Sequence, residues 1–294
     1  MVLNEVVAGL TLLDRLDRFR KWVLTKKNPS VESVAARFVR LFESHGVHRN
    51  QIPRFFGHNL SLQDMTDDAS LLVKLDEVIL DAACTHFAVR REWLDGAESK
   101  AHLCHDFYKH PEEFAELIEA LKKKNPDGQL HGTLIAPIEE NRNAVALLIL
   151  EEIIGSVGEK AIYRYHICNN WSFSYWKARA YLTACVAIAW KREVYIHGIY
   201  ARWDQIKKLA EGEMLLGWQG EGISGIGVRR WYAEDMARLP DIFLHGVDPE
   251  LNNFGITAGL RLWLNLEEKG LMDTGIDEEI RPLFQQELAK YEIK

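Results

Sequence analysis

Three stretches of this chain carry side chains able to do chemistry. His102, Cys104, His105 and Asp106, with His110 close behind, gather imidazole, thiol and carboxylate within nine residues. These are donor types that transition metals favour. If the segment is helical, His102, His105 and Asp106 share one face, because side chains three and four apart are neighbours. No zinc spacing is reproduced and Cys104 projects elsewhere, so a polar linker helix is the preferred reading and no metal is assigned. Gly220-Glu-Gly222-Ile-Ser-Gly225, extended by Gly227, fits G-x-G-x-x-G. That motif holds dinucleotides only where it joins a strand to a helix. Met214-Leu-Leu-Gly-Trp-Gln is too short and broken for that strand, so the stretch reads as a loop and no cofactor is assigned.

The third stretch is aromatic: Tyr163, Tyr165, Trp171, Phe173, Tyr175 and Trp176 lie beside Arg164, His166, Asn169 and Asn170. Aromatics with a few polar groups line small-molecule pockets, and they also fill the core of a mixed sheet. Arg164, Tyr165, His166 and Trp171 are the candidates for holding an effector. Glu139-Glu140 and Glu151-Glu152 are pairs by adjacency only, and neighbours point apart in helix and strand alike. Neither Gly-x-Ser-x-Gly nor His-Glu-x-x-His occurs, so no catalytic residue is assigned and the chain leans away from being an enzyme.

A chain of 294 residues suits two domains. With 47% apolar and 27% charged residues it can bury a core, which excludes disorder as the dominant state. A net charge of −7 excludes a surface that is basic throughout. The four cysteines are far apart and form no CxxC, which suits reduced thiols in the cytoplasm. Neither a secretory leader nor a membrane span of about 20 apolar residues is read from the sequence.

Residues 1–28 read as an amphipathic helix followed by a break at Pro29, with Ser30 capping the next helix. Five short helices are expected over 29–98: Val31–Ser44, Arg49–Phe56, Leu62–Met65, Asp68 to about Thr85, and Arg90–Leu94. A helical linker over 99–128 contains Glu112–Lys124 and ends at Asn125-Pro126-Asp127-Gly128. Residues 129–294 form the second domain. Strands are expected at 131–138, 160–167 and 193–200, with 144–154 open between helix and strand. Helices are expected at 175–190, 203–210, 228–238, 257–269 and 277–292.

Within the first half, Phe38-x-x-Leu41-Phe42 leads to Gly46-Val47, then Gln51-Ile52-Pro53-x-x-Phe56-Gly57, then Phe87 to Gly96 with Trp93-Leu94 before the glycine. This order resembles the helix-turn-helix domain of lambda-repressor/Cro-type regulators, over residues 31–96 alone. The resemblance implies a third helix in the major groove and a second across the phosphates. By position Ser61 and Gln63 would reach base edges, Arg37, Arg40, Arg49 and Arg54 would hold the backbone, and Gln51, in the second helix, would join the DNA-binding set. The sequence departs from that pattern in its charge. No Lys or Arg occurs between Phe55 and Val73, and seven basic against ten acidic residues leave 31–96 net acidic.

The expected fold class is therefore α+β: an all-α five-helix domain, then a mixed α/β domain with a helical C-terminus. The expected function is a cytoplasmic transcriptional regulator, a homodimer on double-stranded DNA, whose second half senses a small-molecule effector or dimerises. The alternatives are an adaptor that binds a protein partner through a degenerate helix-turn-helix, and an enzyme in the α/β half.

Overall fold

Apolar periodicity and side-chain caps build the first half. A computed structural model describes residues 32–126, 128–138, 144–216, 223, 226–276 and 279–292. The N-terminal amphipathic helix, Glu139-Glu140 and Gly220, Gly222 and Gly225 lie outside those residues. Helix α1 (Val34–Ser44) buries Phe38, Leu41 and Phe42, and Ser33 caps it by accepting the Ala36 N–H at 3.1 Å. Helix α2 (Ile52–Phe56) follows a 3-10 turn at Arg49–Gln51 and stops at Gly57, whose φ is +76°. Helices α3 (Asp68–Lys74), α4 (Glu77–Phe87) and α5 (Arg91–Leu94) complete a five-helix unit.

Those five helices are distributed differently from the expectation. Residues 62–65 form a turn rather than a helix. Ser61 donates its backbone N–H and its hydroxyl to the Asp64 carboxylate at 2.8 and 2.7 Å, closing the segment on itself. Side chains of this kind compete with helical hydrogen bonds. Asp67 then caps the next helix at the Ser70 N–H, so too few residues remain to propagate a third. The long helix expected from Asp68 is broken at Leu75, because Asp76 starts a new one by accepting the Ile79 N–H.

A six-stranded mixed sheet forms the second half, in the order β1-β4-β3-β2-β5-β6. Strand β1 (Cys104–Asp106) comes first and pairs parallel with β4. Helix α6 (Pro111–Lys124) follows, then the antiparallel meander β2 (Leu130–Pro137), β3 (Val145–Val157) and β4 (Lys160–Ser172). The segment read as a helical linker thus supplies a strand and a helix to the sheet's own core. The open choice at 144–154 is a strand. Both of its faces are covered, which removes the alternation that would have marked it.

Helix α7 (Trp176–Lys191) crosses one face and delivers β5 (Ile196–Ala201), which lies parallel to β2. Helix α8 (Trp203–Ala210) covers the other face with Ile206 and Leu209. The expected helix at 228–238 is part strand: β6 (Arg229–Tyr232) pairs antiparallel with β5 before α9 (Asp235–Arg238). Helices α10 (Pro240–Leu244), α11 (Phe254–Glu268) and α12 (Arg281–Glu292) pack against the outer side of α7 around Phe243, Trp263 and Phe284. Arg179 is wholly buried there and donates to the carbonyls of Phe173, Phe243 and His245. No helix among the described residues is long and apolar enough to cross a membrane.

The helical unit sits on the end of the β3–β4 hairpin, where Ile162, Ile154 and Val157 join its core. Phe55 packs over Gly155, where an added Cβ would meet its ring at 3.0 Å.

Candidate functional site

Strand alternation separates two neighbouring carboxylates onto opposite faces of the sheet. On the α6/α7 face, Glu152 is 2% exposed and receives Arg164 in a two-pronged ion pair, Nε at 2.8 Å and Nη2 at 2.6 Å. His166 Nε2 lies 3.0 Å from the same carboxylate, and Asn125 donates to it at 3.2 Å. Arg164 also donates to the Thr85 carbonyl at the end of α4, so the network ties sheet to helical unit. Burial pushes the Glu152 carboxyl up, but hydrogen bonds from His166 and Arg164 outweigh it and hold the group at about 2. Every acceptor here is used, which makes the arrangement structural.

The opposite face is different. Glu151 is 7% exposed and takes a 2.6 Å hydrogen bond from the Thr133 hydroxyl. Its nearest cationic candidate among the described residues, His131 Nε2, is 3.9 Å away, and burial lowers the pKa of that imidazole. Burial raises the Glu151 carboxyl; Thr133 and nearby His197 only partly oppose that. Register carries this face outward across the sheet. His131 pairs with Glu151, Thr133 with His197, and His197 with Tyr232. Arg230, opposite Ile199, shares the face.

These residues line an open cleft of about 800 Å³, walled also by Tyr163, Gly227 and Val228. Its floor is polar and rigidly held by strands, and its rim carries exposed Arg230 and Tyr232, the latter 73% exposed. Such a cleft has the size and the few convergent polar groups of a small-molecule site.

The four residues singled out in the sequence do not form one site, although two of them meet at Glu152. Arg164 and His166 belong to the Glu152 network, and Trp171 is core, its indole donating to the Cys168 carbonyl. Tyr165 shares the cleft's face but is buried 5.6 Å from the His45 ring. The period-2 alternation of β4 splits the four, since residues 164 and 166 face one way and 165 the other. The cleft residues His131, Thr133, Glu151 and His197 were missed. Their only signal was the alternation of His131 and Thr133 in β2 and isolated polar residues in the otherwise apolar runs of β3 and β5.

The repressor-like residues are largely occupied. Arg37 donates to the Trp93 carbonyl and pairs with Glu32, and Arg40 pairs with Glu32 at 3.0 Å. Arg49 is held by the Met65 carbonyl at 2.7 Å and by Asp68 at 2.8 Å. Gln51 accepts the His48 N–H in a capping box, Ser61 is spent on Asp64, and Gln63 is exposed on a turn. Arg54 is exposed and has no charged partner among the described residues.

The His/Cys/Asp stretch, read as helical, is extended instead. His102 is buried and accepts the Leu216 N–H, while Cys104 contacts the Ala210 carbonyl. His105 stacks on Phe107, Asp106 accepts from Asn170, and His110 pairs with Glu113. Among the described residues no three His, Cys, Asp or Glu side chains are grouped to hold a metal ion. Gly227, the described end of the glycine stretch, lines the cleft. No protein-family model, no curated protein and no solved structure matches this chain.

Proposed function

We propose that this chain is a ligand-sensing protein that binds a small polar molecule in the cleft on the α8 face of the sheet. The carrying observation is Glu151: a carboxylate more than nine-tenths buried, at the floor of an open cleft, with one hydrogen bond and, among the described residues, no cation nearer than the His131 imidazole at 3.9 Å. A buried charge without a partner is costly, and a ligand that donates to it removes that cost. The helical unit transmits occupancy by contacting a protein partner. Three of its arginines, Arg37, Arg40 and Arg49, are engaged in internal ion pairs and its third segment is a turn, which favours a partner-binding module over a reader of the major groove.

The test is a titration of the isotope-labelled chain with a metabolite library, followed by backbone amide shifts. Ligand binding perturbs His131, Thr133, Glu151 and His197 together, and Glu151→Gln abolishes the response. A library that leaves these amides still while perturbing other regions overturns the reading. Duplex DNA is the control. Binding that weakens steeply with salt and is lost in Arg54→Ala would reinstate the transcriptional regulator.

A further inference from the structure

We infer that the cleft is shaped for a guanine-type mononucleotide, its base edge on Glu151 and its phosphate at Arg230. The inference rests on the ligand-sensing reading and narrows it to one class of compound. Glu151 offers a fixed carboxylate that still has acceptor capacity after Thr133 has donated to it. A carboxylate is met by a ligand edge with two adjacent N–H donors. Guanine presents such an edge, whereas adenine places an acceptor beside its amino group.

The flanking groups suit a planar ring. His131 and Tyr163 meet edge to face at 5.6 Å on one side of Glu151, and exposed Tyr232 stands on the rim. Aromatic faces take bases by stacking whatever the sequence. Arg230 supplies the opposite charge. It is exposed on the edge strand and has no ion pair among the described residues; Arg229, whose guanidinium lies over the Tyr200 ring, also lines the cleft. A guanidinium fork is the geometry that grips phosphate oxygens.

The spacing separates a nucleotide from a smaller ligand. Three strand intervals lie between Glu151 and Arg230, about 14 Å across the sheet. The register also sets Arg230 four residues further along, about 13 Å. Together the two offsets separate the Cα positions by about 19 Å, and the two side chains leaning inward leave a gap that suits the span from a base edge to its 5′-phosphate.

Calorimetry on the full chain uses guanosine monophosphate, adenosine monophosphate, guanosine and inorganic phosphate as probes. Guanosine monophosphate is expected to bind at least tenfold more tightly than adenosine monophosphate. Glu151→Gln should remove that preference, and Arg230→Ala should weaken the monophosphate but not the nucleoside. Arg230→Ala and Tyr232→Ala alter exposed positions, so they stay informative if the Glu151 variant folds poorly. Equal binding of the two nucleotides, or phosphate binding as tightly as the nucleotide, overturns the inference. So does tighter binding of a short strand with a 5′-guanylate than of the mononucleotide. If no nucleotide binds but another compound perturbs the Glu151 face, this inference fails and the ligand-sensing reading stands. If nothing enters the cleft, both fall.

Discussion

Arg164→Met tests the Glu152 network most directly. The substitution keeps a stem of similar length and removes the guanidinium, leaving a carboxylate that is 2% exposed with only His166 and Asn125 beside it. Stranding one partner of a buried pair costs about 3–5 kcal/mol. Losing the donor to the Thr85 carbonyl adds about 1 kcal/mol. An independent route gives a similar size. The Glu152 carboxyl sits at about 2 rather than at its ordinary 4.5, and that gap corresponds to about 3 kcal/mol of stability. A depressed carboxyl stabilises above its unfolded value, so the wild-type contribution is present above pH 4.5 and is lost as pH falls toward 2. In Arg164→Met the carboxyl loses part of what holds it down while burial and the His166 hydrogen bond remain, so the deficit is largest at neutral pH and shrinks in acid. Urea unfolding of Arg164→Met, Glu152→Leu and the double variant across pH 3–8 measures this as a double-mutant cycle. The double variant should be milder than the sum of the singles by about 2 kcal/mol or more. Additive effects, or a single-variant cost under about 1 kcal/mol at pH 7, would refute the reasoning.

Other perturbations reach different parts of the molecule. Burial lowers His45 to about 4 and His102 to about 3, so each destabilises the fold as pH falls below its ordinary 6.5. Urea titrations between pH 6.5 and 4 should lose about 1.4 kcal/mol per unit for each, and His102→Gln should reduce that slope by one proton. Glu151 is the opposite case: its raised carboxyl stabilises at low pH and costs stability as pH climbs through its folded value. Glu151→Gln should therefore raise the thermal midpoint at pH 8 and leave it unchanged at pH 4. At Gly198 an added Cβ would meet the Trp231 ring and its carbonyl at 2.6 Å. Gly198→Ala should peel β6 from β5 at a cost of about 1–3 kcal/mol, read as faster hydrogen exchange of the β6 amides.

Much of the fold was legible from periodicity and caps. Helix α8 falls on the residues that the pattern marks, and the meander follows its β-branched and aromatic runs. The helix expected at 62–65 was lost to a local side-chain contest between Ser61 and Asp64, which spacing alone does not reveal. The strand at Cys104–Asp106 owes its shape to pairing with β4, 63 residues onward, and carries no local signature. The candidate site was harder still. Aromatic density pointed to 163–176, yet density does not say which face a residue takes, and the polar floor came from single residues spread over β2, β3 and β5. Glu151 and Glu152 were visible as a pair, and their divergence was too; what each would meet depended on which helices covered which face.

One peptide bond separates the carboxylate at the base of the cleft from the carboxylate that grips Arg164. Any strain placed on the first is delivered along a strand with almost no slack to the second, and from there to the end of α4 through the Thr85 carbonyl. A guest at the cleft therefore has a short mechanical route to the helical unit, through the backbone of β3 itself.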